Sequence, residues 1–314
     1  MRSFAKGTSL RAALLVSASV MSLAVASPEV WAADMPTKAT YKAPPIEPLP
    51  QWTFFLEGAG FSTGGDPIFG VSALRPGFGW EGAVGVDYRF AASPWHVSAQ
   101  FRYGKAGSKS ATASGYGCFS GYCGTVFGTA NHKEDHWVAD FAVGHDLGVG
   151  TGQAQVKLGL RVAELNATTN LAGTLYFPSS GGDTVTAAGT LNFHSRFVGV
   201  GPRAGIEGSL PLSGAWGIDY MGGIAYLFGE RSLDVSGAAT GVGSFASNIS
   251  DHQGVFNADA SAGLYYAFSQ NAKITAGYRF DGYWQSLKTV DANLNVVDVD
   301  RLFYGPFLRL TARY

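Results

Sequence analysis

The feature that most constrains this chain is an apolar and polar alternation sustained over roughly ten residues at a time, the period of strands whose two faces meet different surroundings. Trp80, Gly82, Val84, Val86 and Tyr88 share one face of such a segment, and Glu81, Ala83, Gly85, Asp87 and Arg89 share the other. After a short Ala91 to Pro94 turn the pattern resumes, with Trp95, Val97, Ala99, Phe101 and Tyr103 set against His96, Ser98, Gln100 and Arg102. A hairpin is the expected structure.

The same reading predicts strands at Trp52 to Phe61, His136 to Asp146, Gln153 to Leu165, Phe197 to Leu210 and Ala215 to Phe228. Three more follow at Val255 to Phe268, Ala272 to Tyr283 and Leu302 to Tyr314, for about ten strands in all. Connections alternate in length. Ala91 to Pro94, Leu147 to Gly152, Pro211 to Gly214 and Ser269 to Asn271 are short, whereas Ser62 to Gly79, Lys105 to Asp135, Asn166 to His194, Gly229 to Gly254 and Trp284 to Arg301 are long. An even strand count with alternating short turns and long loops is the pattern of a transmembrane antiparallel up-and-down β-barrel of the outer membrane. An additional hairpin around Leu175 to Phe177 and Val185 to Leu191 would raise the count to twelve.

A soluble barrel could also alternate, but it would turn its apolar face inward. Here the polar face carries too many charges for a dry core. The aromatics separate into two belts: Trp52, Phe90, Trp95, Trp216, Phe268 and Tyr314 at the short-turn ends, and Trp80, Tyr103, Trp137, Phe228 and Phe256 at the long-loop ends. Two membrane interfaces select such belts. Apolar faces toward lipid place nine carboxylates in the lumen, Glu57, Glu81, Asp87, Asp140, Asp146, Glu207, Asp219, Asp259 and Asp281. Nine cations join them, Arg89, Arg102, Lys157, Arg161, Arg203, Lys273, Arg279, Arg309 and Arg313. Balanced charge supports either a plug of ion pairs or a water-filled constriction whose field selects solutes. Small inward residues such as Gly85, Gly159, Gly223 and Gly277 either leave a water path or let long arginines cross the lumen.

Residues 1–32 read as a signal peptide: Arg2, Lys6 and Arg11 precede an apolar run from Ala12 to Ala26, and Val30 and Ala32 supply the small residues that a signal peptidase reads. That run is shorter than the roughly 20 residues of a spanning helix. Residues 33–50, with Pro36, Pro44, Pro45, Pro48 and Pro50, suit an extended periplasmic lead, so the barrel domain is expected over 51–314. In an exported chain Cys118 and Cys123 read as a small disulfide loop. A net charge of −1 does not suggest a nucleic-acid partner.

Chemical motifs are sparse. Gly199, Gly201 and Gly205 lie within a strand, with Pro202 among them and no helix after, so the phosphate-cradle reading fails. His132, Asp135, His136, His194, Asp251 and His252 gather near predicted loop bases, and a His beside an Asp could serve general-base chemistry. Adjacent strand positions point to opposite faces, which favours polar rims over an enzyme. No cofactor or metal site is expected.

Three stretches carry a family resemblance: FVGVGPRAGIEGSLPLSGAWGIDYMGGIAYLFG from Phe197 to Gly229, WVADFAVGHDL from Trp137 to Leu147, and VKLGLRVAELN from Val156 to Asn166. They resemble the pore-forming outer membrane proteins of the Legionella major outer membrane protein type. The lead AADMPTKATYKAPP, Ala32 to Pro45, is similar to the mature start of many alphaproteobacterial outer membrane barrels. The resemblance implies a passive diffusion pore for small solutes, with no cofactor. The competing readings are a non-conducting structural or host-contact surface barrel and, third, a barrel enzyme acting on lipid A or peptides. Expected partners are outer-membrane lipid and lipopolysaccharide, small solutes, and the barrel-assembly machinery, whose recognition signal the terminal Tyr314 resembles.

Overall fold

A computed structural model describes residues 52–67, 74–119, 122–148, 153–178, 184–241, 243–291 and 295–314. The expected signal peptide and Pro-rich lead lie outside these residues. Eleven antiparallel strands follow in chain order: β1 (Trp52–Gly65), β2 (Gly79–Arg89), β3 (Trp95–Lys105), β4 (Lys109–Phe119), β5 (Tyr122–Asp146) and β6 (Gln153–Pro178). The remaining five are β7 (Thr184–Ser213), β8 (Trp216–Ala239), β9 (Gly243–Ser269), β10 (Ala272–Val290) and β11 (Val296–Arg313).

Apart from β3 and β4, sequential neighbours pair, β1 pairs with β11, and β3 pairs with the lower part of β5, which closes a ring of ten strands. The seam between the two chain ends is continuous: Thr53 stands opposite Arg313, and the Trp52 and Tyr314 backbones exchange hydrogen bonds of 2.9 and 2.8 Å. Closure leaves no open edge in this part of the sheet, the condition for a β-structure in hydrocarbon. β4 stands outside the ring, pairing only with the upper part of β5.

The ring strands begin and end near the expected positions at the short-turn end. Gly214 takes φ +58° in the tight turn from β7 to β8, a conformation natural for glycine. At the other end the expected loops are largely strand. Residues 229–239 and 243–254 continue β8 and β9, and 166–178 with 184–194 continue β6 and β7. Residues 109–119 and 122–135 form the β4–β5 hairpin and its base. Leu175–Phe177 and Val185–Leu191 are therefore strand, but as continuations of β6 and β7, so they add no strand to the ring. At 30 residues β7 is roughly three times the 9 to 11 that a bilayer needs. The result is a six-stranded wall, β4 to β9, standing on one side of the barrel mouth.

Within the barrel the faces divide as the alternation requires. Leu56, Val84, Phe101, Leu158, Leu160, Ile224, Leu264 and Leu308 are exposed on the outside. Trp52 packs on Tyr88 at 4.6 Å and Trp216 on Tyr266 at 5.0 Å at the short-turn end. Trp80 meets Tyr103 at 5.8 Å and Phe256 meets Trp284 at 5.3 Å at the other, so an apolar band lies between two aromatic girdles. Buried residues line the inside. The register sets Cys118 opposite Cys123 across the β4–β5 hairpin. Their side chains lie outside the described set.

Candidate functional site: a layered, charged lumen

The lumen is stacked in layers. Nearest the short turns, Lys157 bridges Glu207 at 2.6 Å and Asp87 at 3.2 Å, His96 meets Asp87 at 2.8 Å, and Arg89 pairs with Asp146. Lys273 joins Asp219 at 2.6 Å, and Thr275 donates to the same carboxylate at 2.7 Å. Arg313 reaches only Gln153, at 3.3 Å. A cavity of about 210 Å³ occupies this level, and Asp140 and Arg203 are among its lining residues.

Above it runs a continuous ion-pair layer. Arg279 bridges Glu57 and Glu81, and Arg309 pairs with Glu57 at 2.8 Å. Arg102 meets Asp281 at 2.6 Å and lies 3.8 Å from Glu81. Arg161 grips Asp140 with two bonds of 2.6 and 2.7 Å and reaches Asp259 at 2.8 Å and Asn257 at 2.5 Å. Asn257 passes the chain on to Asp281 at 2.7 Å, and Arg203 closes on Asp259 at 2.9 Å. Five arginines and five carboxylates, drawn from every ring strand except β8, thus neutralise one another across the barrel. Arg161 is fully buried. β8 contributes space instead: a Cβ on Gly223 would stand 2.6 Å from the Arg203 guanidinium. Of the two roles open to the small inward residues, Gly223 thus fills the second, admitting an arginine.

An apolar layer follows toward the wall, built from Phe61, Val138, Leu165, Phe197, Leu227, Val255, Tyr283, Leu287, Val299 and Phe303 with smaller residues between them. His136 edges into it, 4.2 Å from the Phe303 ring, while its Nε2 contacts Glu81 at 2.9 Å. Above lies a second polar layer. His132 is held between Thr169 at 2.7 Å and Glu134 at 2.8 Å, and Arg301 meets Glu134 at 3.0 Å from across the mouth. His132 is 1% exposed and cross-links β5 to β6 through Thr169. Asp135 faces the other way and contacts Asn166 at 3.2 Å.

The eighteen charges assigned to the lumen, nine carboxylates and nine cations, line the cavity or join the ion pairs above it. The structure divides them into a network around the cavity and the ion-pair layer. Residues that the sequence did not single out are Asn257, which relays from Arg161 to Asp281, Gln100, which donates to Asp140, and Glu134 and Arg301, which fell in expected loops. The alternation of His132, Glu134, His136, Val138 and Asp140 along one face was the available signal for extending β5 upward. A larger cleft of about 740 Å³ lies high on the wall, but glycine, alanine, threonine, Ser114 and Phe127 line it, so it offers no charge or titratable group.

Above the girdles, burial alone would raise the Glu134 carboxyl, but the Arg301 guanidinium and the His132 hydrogen bond outweigh it and hold it below the usual glutamate value. A depressed folded value means that Glu134 stabilises the fold at neutral pH and loses that contribution as pH falls through it. The stability difference between the parent protein and Glu134→Gln, from urea unfolding, is therefore expected to be largest near neutrality and to shrink on acidification. A difference that grew in acid would contradict the assignment.

A closed ring with an apolar outer band, two aromatic girdles and a charged interior defines a transmembrane β-barrel of the bacterial outer membrane. Within that class, the chain belongs to the family of the Legionella pneumophila major outer membrane protein precursor, whose model matches residues 56–313. No curated protein matches the sequence. Among solved structures, the chain is similar to the outer membrane protease OmpT from Escherichia coli (12% identity, TM-score 0.47, 86% of this chain and 99% of that one). It is also similar to a major outer membrane protein from Thermus thermophilus (14% identity, TM-score 0.34, 84% and 99%) and to the P. putida toluene transporter TodX (8% identity, TM-score 0.28, 84% and 90%).

Membrane placement gives a local prediction. Leu158, 66% exposed in the apolar band, and Ala172, in the wall, share the outer face of β6. Leu158→Arg is expected to cost about 2–4 kcal/mol in urea unfolding from phospholipid vesicles, and Ala172→Arg close to nothing. Equal costs would contradict a bilayer confined to the lower band.

Proposed function

We propose that this protein is a pore-forming, porin-like barrel that passes small solutes passively, and that its lumen rests closed on the ion-pair layer. The supporting observation is the character of the closure. A barrel needed only as a scaffold could fill its interior with apolar side chains at no electrostatic cost, whereas buried ion pairs recover their desolvation only through near-ideal geometry. Here five guanidinium groups and five carboxylates sit directly above a polar cavity. Water and ions can replace such contacts one at a time, which apolar packing does not allow. Net neutrality of the layer excludes neither sign of solute, so preference would come from the local field.

The reading involves no cofactor and no catalysis. Lipid would cover the apolar band. Lipopolysaccharide sugars would meet the hydroxyl-rich and amide-rich outer face of the wall, where Thr168, Asn170, Thr190 and Asn192 alternate outward. A second reading, a non-conducting surface barrel that displays the wall, draws support from the apolar layer across the mouth. Swelling of proteoliposomes in small neutral sugars separates the two. Swelling that falls with sugar size is expected for the pore, and none at any protein density would favour the display barrel.

A further inference from the structure

The apolar layer is not formed by the barrel wall alone. β10 pairs with β9 only as far as Trp284 opposite Phe256, while β9 continues upward on β8 to Gly243. At that fork the β10–β11 register shifts between Tyr283 and Leu287, and Gln285 takes φ +55°. A non-glycine residue at positive φ beside a bulge marks a bend imposed by the surroundings. Beyond it, Ser286, Leu287, Lys288, Thr289 and Val290 are all buried, on both faces of the strand. A strand rim in water would bury one face at most. The hairpin has left the ring and packs on the inner faces of β7 and β8, across the mouth.

Its contacts fall into two kinds. Leu287 and Val299, 1% and 2% exposed, complete the apolar cluster with Leu227, Val255 and Phe197 of the wall. Polar latches surround them. Arg231 of β8 donates to the Gln285 carbonyl at 2.7 Å and pairs with Asp298 at 3.1 Å and Asp251 at 2.8 Å. Lys288 reaches Asp251 at 2.9 Å and Asp298 at 3.4 Å, and its backbone N–H donates to Ser195 Oγ at 2.9 Å. Asp251 and Asp298 remain about one-third exposed, so these latches are open to water and exchange faster than the buried ion pairs below.

We propose that the upper β10–β11 hairpin, residues 285–291 and 295–300, is a lid over the extracellular mouth, hinged at Gln285 and latched to the wall through Arg231, Asp251, Lys288 and Asp298. Swinging it toward the edge of upper β9, which pairs with no further strand among the described residues, withdraws Leu287 and Val299 from the apolar layer and exposes the ion pairs to the outside. As a gate it rests on the pore reading; as a movement it does not.

Thiol labelling tests the movement directly. Leu287→Cys and Val299→Cys are each introduced into refolded protein in vesicles and treated with a membrane-impermeant maleimide, with the parent chain, carrying Cys118 and Cys123, as background. Adding Asp298→Asn and Lys288→Met, which loosen the lid and leave Arg231 paired with Asp251, is expected to speed labelling at both sites roughly tenfold, since labelling follows the open population. Thr311→Cys, on the fixed barrel beneath the ion-pair layer and 8% exposed, is expected to label at an unchanged rate. The lid is overturned if latch loss leaves Leu287→Cys and Val299→Cys unaffected in a barrel that keeps its folded gel mobility, or if Thr311→Cys accelerates equally. A barrel that labels as expected but stays electrically silent rejects the pore and keeps the lid.

Discussion

Replacing Arg161 with leucine is expected to lower the unfolding free energy by about 3–5 kcal/mol, because it leaves two buried carboxylates, Asp140 and Asp259, to share the single guanidinium of Arg203. The same loss converts the densest part of the closure into repelling carboxylates, so conductance should rise in whatever fraction inserts. Adding Asp140→Asn to Arg161→Leu should recover most of the stability, since one cation and one anion are then removed together and Arg203 keeps its pair with Asp259. Urea unfolding in vesicles reads both steps. A loss below about 1 kcal/mol for Arg161→Leu would mean that these pairs behave like hydrated surface pairs and that the layer is no closure.

Reversal at Arg203 should change selectivity more than any other single exchange, because Arg203 stands at the boundary between the lower cavity and the ion-pair layer. Arg203→Glu alters the local charge by two units. At about 1 kcal/mol per unit charge at 4 Å in water, the permeability ratio of potassium to chloride should rise at least about fivefold. The reversal potential in a salt gradient measures it. An unchanged potential in a conducting protein would remove Arg203 from the conduction path.

How much of this was legible in the sequence depended on contrast between the two faces of each strand. Within the membrane band one face meets lipid and the other a polar lumen, so Val84 against Glu81 or Leu158 against Arg161 declares both strand and orientation. Above the band both faces of the wall meet water, and runs such as Asn170, Leu171, Ala172, Gly173 and Thr174 carry little alternation. Strand and loop look alike there, and the extensions were missed. The lumen charges followed from parity alone. Their grouping did not, since Arg102 meeting Asp281, or Arg161 meeting Asp259, depends on side chains crossing the barrel. The hairpin lid was the least legible element. Ser286, Leu287, Lys288 and Thr289 are buried irrespective of parity, so no period in the sequence marks them.

Single-channel recording of the refolded full barrel in a planar bilayer tests whether the proposed pore is narrow and held closed by its ion pairs. Brief, low-conductance openings separated by long closures are expected, with open time lengthened in the Asp298→Asn and Lys288→Met double variant. Stable insertion with no current, in the parent protein and in Arg161→Leu alike, would contradict the pore.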